Sequence, residues 1–472
     1  METRRDRNCT TMLLLALVFS TLLRSALCFL WFSECDVIPA PGCTCIGSEG
    51  YYHVICNDLD LVDVPQLMEL TRIELLDFSA NKFTALGDNC FGNGIVTEFI
   101  LTDNRYQGLN FDDCTLHLIQ KLSITHLKLS NDWLPSVPSA IRNMKYLLTL
   151  DLSANRIKYI ETKYFSRLES LRRLELKGNP IQTVGLVFLS LPGLRELSLT
   201  IDRRLIRDVA DLYGIIGEFN MAVIKILVTK LTLEDFPIGS ANFLRHFSHL
   251  ESLRLSRCSL EDKAIQTKGK SILRASKDGL QYVDLSDNRL SSFPRRLLYQ
   301  TGRLVHLDLS SNLIEEINYS CSSHPELRYL DLSKNRIQFL RIGIDERAKL
   351  AYLDLSDNQI LTIEQDAFKH AHHLEHLDLS GNLLGYLSRA SFPDEFPPSL
   401  TLHIRKNPLK CDVGCNLQWL VWRIGRQFDT GSGPFSWYDV HNAVCTDALG
   451  RHLWLLSMYQ SGFKFYPGCD LK

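Results

Sequence analysis

Four segments decide the architecture: Leu304–Asn312 reads LVHLDLSSN, Leu327–Asn335 reads LRYLDLSKN, Leu350–Asn358 reads LAYLDLSDN and Leu374–Asn382 reads LEHLDLSGN. All fit the frame L-x-x-L-x-L-x-x-N, and their asparagines stand 23, 23 and 24 residues apart. The frame recurs at Leu147–Asn155 and Leu171–Asn179, and more loosely at Ile73–Asn81 and Val96–Asn104. With degenerate copies included, fourteen frames end at positions 81, 104, 132, 155, 179, 202, 236, 258, 288, 312, 335, 358, 382 and 407.

Elementary chemistry gives the frame its meaning. The alternation L-x-L places leucines on one side of a short strand and the intervening residues on the other. One such strand cannot bury its apolar side alone, so copies stack in parallel and build a continuous core. Each asparagine falls where the chain turns, and stacked amides can hydrogen-bond backbone groups that the turn leaves over. Phe165, Phe188, Phe368 and Phe392 follow their asparagine or its equivalent by nine or ten residues and read as a spine on the wider outer side.

This pattern resembles the extracellular leucine-rich repeat family, whose typical repeat is about 24 residues long. The resemblance spans roughly residues 35 to 469 and implies an α/β-type horseshoe solenoid with a parallel concave sheet, an irregular or helical convex side and disulfide-stapled caps. Its domains are then a signal peptide at 1–28, an N-terminal cap at 29–70, the solenoid at 71–407 and a C-terminal cap at 408–472. Cys35, Cys43, Cys45 and Cys56 precede the first frames, and Cys411, Cys415, Cys445 and Cys469 follow the last. Sequence alone leaves three connectivities in each group. The resemblance implies first-to-third and second-to-fourth pairing: Cys35–Cys45, Cys43–Cys56, Cys411–Cys445 and Cys415–Cys469. Leu417, Leu420, Val421 and Ile424, with Trp419 and Trp422 alongside, recur at helical spacing and predict an amphipathic helix over the last repeat. The cysteine spacings match no zinc ribbon or finger.

Four further cysteines belong to the repeats. Cys90 and Cys114 occupy equivalent places in adjacent frames, where stacked strands about 5 Å apart allow either a disulfide or two buried thiols. Cys258 takes an asparagine place and Cys321 a phenylalanine place, so both read as small core residues.

The compartment comes from the N-terminus. Arg4, Arg5 and Arg7 precede an apolar run from Met12 to Leu23, and Ala26-Leu27-Cys28 supplies a cleavage site. Arg24 interrupts the rival reading of an uncleaved anchor through Phe32, and no later stretch is apolar for long enough to span a bilayer. The expected product is secreted, in the extracellular space or matrix.

Composition narrows the function. The 472 residues are 45% hydrophobic and 22% charged, with 52 Lys+Arg against 54 Asp+Glu. Such a balance is that of a folded chain without the basic excess of a nucleic-acid binder. No catalytic constellation or cofactor motif emerges. The run His370-Ala-His372-His373-Leu-Glu375-His376 crosses from loop to strand and is not the H-E-x-x-H helix of metalloproteases. Candidate partner-binding residues lie on the exposed frame positions. Tyr282, His306, Tyr329, Tyr352 and His376 occupy the third position of successive frames as an aromatic column, a residue type that carries binding energy on preformed surfaces. Beside them Asp284, Asp308, Asp331, Asp354 and Asp378 match the repeat consensus and read as structural. Longer steps at 202–236 and 258–288 carry Arg203, Arg204 and Arg207 in one and Lys263, Lys268, Lys270 and Arg274 in the other. Arg254 and Arg257 lie between them on a mixed-sign face, which suits a protein better than a polyanion. Asn318-Tyr319-Ser320 is a glycosylation acceptor on the convex side. The sequence thus predicts a non-enzymatic binder of an extracellular protein ligand or cell-surface receptor. The alternatives are a self-associating matrix or adhesion component, with a homodimer as its simplest form, and a small proteoglycan-like matrix protein.

Overall fold

A computed structural model describes residues 42–461. Excepted are 49–50, 63–71, 84–94, 105–122, 201–227, 435–443 and short stretches within 185–190, 236–246, 266–277, 394–398, 412–414 and at 432. Two compact units, 1–156 and 157–472, divide the chain.

In the first unit, β1 (Thr44–Ser48) and β2 (Tyr51–Ile55) form an antiparallel hairpin. The next strands, β3 (Arg72–Asp77), β4 (Ile95–Ile100), β5 (His126–Lys128) and β6 (Thr149–Asp151), follow in parallel register. The frame explains this order: Leu76, Phe99, Leu127 and Leu150 are fully buried, while the flanking residues face outward. Phe78 packs edge-on against Phe83 and Phe99, with ring centres 5.6 and 6.3 Å apart. A disulfide joins Cys43 to Cys56, so the opening hairpin is stapled at the start of the stack. Cys45 is also disulfide-bonded, and Cys35, Cys90 and Cys114 lie outside the described residues.

The second unit continues the pattern with ten parallel strands: β7 (Arg173–Leu176), β8 (Glu196–Thr200), β9 (Lys230–Glu234), β10 (Ser252–Ser256), β11 (Tyr282–Asp284), β12 (His306–Asp308), β13 (Tyr329–Asp331), β14 (Tyr352–Asp354), β15 (His376–Asp378) and β16 (Thr401–His403). Three leucines per full frame enter the core, as with Leu327, Leu330 and Leu332. Each contributes about 1.5–3 kcal/mol by leaving water. Opposite the inner sheet the chain runs through extended and 3-10 segments, including parallel ladders at Tyr159–Ile160 with Thr183–Val184 and at Glu316–Ser320, Phe339–Gly343 and Thr362–Ile363. Phe165, Phe368 and Phe392 are buried there, the latter two 5.5 Å apart, and Phe188 lies outside the described residues. Phe368→Ala leaves a cavity between adjacent repeats and is expected to cost about 3–5 kcal/mol, read as an earlier urea midpoint.

Asparagine rungs close each strand. Asn335 Nδ2 donates to Leu332 O in its own frame and to Leu309 O in the frame before, and its Oδ1 accepts from Ile314 N at 3.0 Å. Asn81, Asn155, Asn288, Asn358 and Asn382 bind in the same way. The residue before each described rung is left-handed, with φ from 53° at Ala80 to 70° at Gly178. Such a conformation is disfavoured for residues such as Lys334 and Arg257, so the rung holds the turn against its intrinsic preference. Two frames deviate. Cys258 uses its thiol, which donates to Leu233 O and Ser256 O at 3.2 and 3.3 Å, and Asp132 places a carboxyl in the rung.

At the far end α1 (Cys415–Thr430) buries Trp419, Leu420, Val421 and Ile424, and Trp419 packs on Phe392 and Phe396. The helix thereby covers the last apolar layer. Cys411 is bonded to Cys445 at the edge of a hairpin of Val444–Thr446 with His452–Trp454. Cys469 and the side chains of Cys415 and Leu417 fall outside the described residues.

Candidate functional site: an aromatic and acidic face

The third frame position becomes a continuous stack. Tyr282, His306, Tyr329, Tyr352 and His376 lie in direct register on β11–β15. Their ring centres are 4.3, 4.0, 4.3 and 4.4 Å apart and their planes within 10° of parallel. His403 extends the series at 5.3 Å and 49°. Parallel strands about 4.8 Å apart bring identical frame positions to stacking distance, so the column follows from register alone. Because the ring faces are occupied by one another, the stack offers a partner its edges: phenol hydroxyls and imidazole nitrogens.

Two residues on, the aspartates point to the same side of the sheet. One oxygen of each is committed to the turn: Asp308, Asp331, Asp354 and Asp378 accept at Oδ1 from the backbone N–H of Ser310, Ser333, Ser356 and Ser380, at 2.7–2.9 Å. At Asp331 and Asp354 the second oxygen faces the stack, accepting from the Tyr329 and Tyr352 hydroxyls at 3.4 Å. Burial, reinforced by the neighbouring Asp354 and Asp308 charges, pushes the Asp331 carboxyl up to about 6. Burial likewise raises Asp308. It lowers the His306 imidazole to about 4, so that ring is neutral at physiological pH.

An arginine stands at one end of the row and a histidine at the other. Arg254 pairs with Asp284 at 2.7 Å, donates to the Tyr282 hydroxyl at 2.8 Å and lies 5.8 Å from that ring centre. At the other end His403 is in register with Asp378. Among the described residues no ion pair neutralises Asp308, Asp331, Asp354 or Asp378. The adjoining strands are different, because there the charges satisfy one another. Arg173 bridges Glu175 and Glu196, Lys230 meets Glu196, Lys177 meets Glu234, and Arg257 bridges Glu234 and Asp235. Arg254 and Arg257, expected from sequence as partner contacts, are thus engaged within the sheet. Only Arg257–Asp235 is exposed on both sides, a kind of pair that contributes about 0–1 kcal/mol; the carboxylates of Asp284, Glu175 and Glu234 are largely covered by the sheet.

Arg203, Arg204, Arg207, Lys268, Lys270 and Arg274 lie outside the described residues, whereas Lys263 pairs with Glu261. His376 belongs to the stack, and His370 sits 3.9 Å from Glu346 away from it. Asn318 is exposed on the outer ladder. Sequence reading did not foresee that the aspartates and the aromatic column form one surface. The signal was present in the tripeptides YVD, HLD, YLD, YLD and HLD, whose first and third residues necessarily share a side.

The leucine-rich repeat family profile matches residues 123–181, 145–202, 278–337 and 348–409, the segments that form these rungs and strands. The chain is a leucine-rich repeat protein. As such it is similar to mouse keratocan, with 23% identity over 69% of this chain and 77% of keratocan. Mouse podocan is 25% identical over 55% of this chain and 36% of podocan, and the mouse CD180 antigen 26% identical over 52% and 39%. The alignments to podocan and the CD180 antigen therefore span well under half of those proteins. Among solved structures, a leucine-rich repeat protein of Leptospira interrogans aligns over 70% of this chain and 89% of its own, at 18% identity and a TM-score of 0.41. No helix among the described residues is long and apolar enough to cross a membrane.

Proposed function

We propose that this repeat protein is a secreted, non-enzymatic scaffold that binds an extracellular protein ligand or receptor through the exposed face of its inner sheet. The observation that carries the reading is the uncompensated row Asp308–Asp331–Asp354–Asp378 beside a rigid stack of ring edges. Half-buried carboxylates at strand spacing repel one another, and a partner that presents arginine or lysine relieves that repulsion on binding. Phenol and imidazole edges add hydrogen bonds without ordering mobile side chains, since the rings are already fixed. Similarity to keratocan, podocan and the CD180 antigen supports an extracellular binding or matrix role.

The test uses the secreted chain as bait in pull-downs from extracellular fluid. Its companion is the triple variant Asp308→Asn, Asp331→Asn, Asp354→Asn, in which the amide oxygens keep the turn contacts while the charge is removed. Wild type is expected to retain partners that the variant loses by tenfold or more, with capture weakening as salt rises. Identical capture by both overturns the reading. Self-association in a matrix or adhesion role is the second reading, favoured by the self-complementary charges on β7–β10. Light scattering separates the two. A stable dimer abolished by reversing Glu196 and Glu234 supports self-association, and a monomer supports ligand recognition.

A further inference from the structure

The outer ladder ends on an edge that begins at Glu316–Ser320. This strand pairs with Phe339–Gly343 on one side, and no strand among the described residues pairs with the other. The preceding repeat does not continue the ladder. Its segment carries Pro294, which lacks an N–H, and turns on itself, with Arg295 N donating to Phe293 O and Leu298 N to Pro294 O. A cavity of about 410 Å³ therefore opens beside the edge, lined in part by Asp262, Phe293, Arg296, Glu316 and Asn318. An unpaired strand edge with an open flank is a template for edge-to-edge association.

The same strand holds the acceptor tripeptide. Tyr319 is buried, stacked on Phe293 at 4.5 Å and hydrogen-bonded to His324 Nδ1 at 2.8 Å. With the middle residue anchored inward, the pleat turns Asn318 and Ser320 outward, and both are exposed. Phe339 on the adjacent strand is also exposed, which leaves apolar surface next to the edge.

We infer that Asn318 carries an N-linked glycan that covers this edge and its cavity and keeps the outer ladder from pairing with another copy. The inference rests on the extracellular reading. The modification transfers an oligosaccharide from a lipid diphosphate donor: a bond forms between Asn318 Nδ2 and sugar C1, the bond from C1 to the diphosphate oxygen breaks, the amide loses one proton and the lipid diphosphate leaves. A branched, hydrated polymer at the middle of a five-residue edge strand blocks approach of a second strand from either end.

The chain is to be expressed in animal cells and collected from the medium, wild type beside Asn318→Gln, Ser320→Ala and Asn318→Lys. Peptide-N-glycosidase is expected to remove one mass step from wild type and none from the variants. In sedimentation, Asn318→Gln and Ser320→Ala are expected to at least double in average mass as concentration rises. Asn318→Lys, which guards the edge by charge instead of sugar, is expected to remain at the mass of wild type. Secreted wild type without a mass step overturns the inference and leaves the binding role standing. Glycan-free variants as monomeric as wild type overturn the shielding role. A chain found only in the cytosol without sugar overturns both this inference and the extracellular reading.

Discussion

Replacing Asp132 with asparagine is expected to stabilise the first unit and to remove a slope from its stability–pH curve. Asp132 occupies a rung. Its Oδ1 accepts from Asn104 N at 2.8 Å, while its Oδ2 is buried with no partner among the described residues, as is Asn104 Oδ1. In a regular rung that second position is an amide that donates to two leucine carbonyls, as Asn155 does to Leu129 O and Leu152 O. A carboxylate there turns lone pairs toward lone pairs. Burial, with smaller contributions from the Asp103 and Asp151 charges, raises the Asp132 carboxyl to about 8.

The folded state thus binds a proton that the unfolded state, near 3.8, has released. Stability is greatest below about pH 4, falls by up to about 1.4 kcal/mol per unit as pH rises toward 8, and levels off above it. Half-buried His306 acts in the opposite sense below about 6.5, so the measurement is the difference between wild type and variant. Asp132→Asn is expected to add about 3–5 kcal/mol at pH 7.4 and almost nothing at pH 4, read from urea midpoints. Parallel pH profiles for the two proteins would sink the argument.

The reciprocal experiment targets Asn335. Asn335→Ala leaves Ile314 N buried without its acceptor and removes one of two donors from each of Leu309 O and Leu332 O, which keep Asn312 and Asn358. Loss of the fully orphaned group and the weakened pair is expected to cost about 2–4 kcal/mol at every pH. Asn335→Asp retains the acceptor for Ile314 N but imports the carboxyl of Asp132, so its cost should be small at pH 4 and grow toward pH 8. If both substitutions cost less than about 0.5 kcal/mol, the rungs contribute shape without stability.

Much of the fold was legible in the residues. The leucines fixed the strands, because a period of two inside a period of 23 or 24 admits stacking in parallel and little else. Trp419 and its apolar neighbours announced the covering helix. The pairs Cys43–Cys56 and Cys411–Cys445 came from family resemblance, since spacing alone allows three arrangements in each cap. Other features depend on neighbours that no single frame contains. That Arg254 is held by Asp284 and Tyr282 depends on strand register across a 30-residue step, and that ring faces are consumed by stacking depends on strand spacing. The strand edge beside Asn318 is visible only once Pro294 is seen to stop the ladder.

The rungs also give the stack a direction. Each asparagine reaches back: Asn358 serves Leu332 O and Ile337 N, and Asn382 serves Leu355 O and Ile360 N, so every repeat is finished by the one that follows it. Deleting a repeat from either end breaks ladder bonds such as Arg328 N to Val305 O or Leu332 N to Asp354 O, but deletion from the C-terminal end also strands the main-chain groups that a rung serves, whereas at the opposite end the rung itself frees only a side-chain amide that water can reach. The closing helix with its Cys411–Cys445 staple therefore works as a latch at the end from which fraying would begin, and a chain held by its two ends and pulled should open from there.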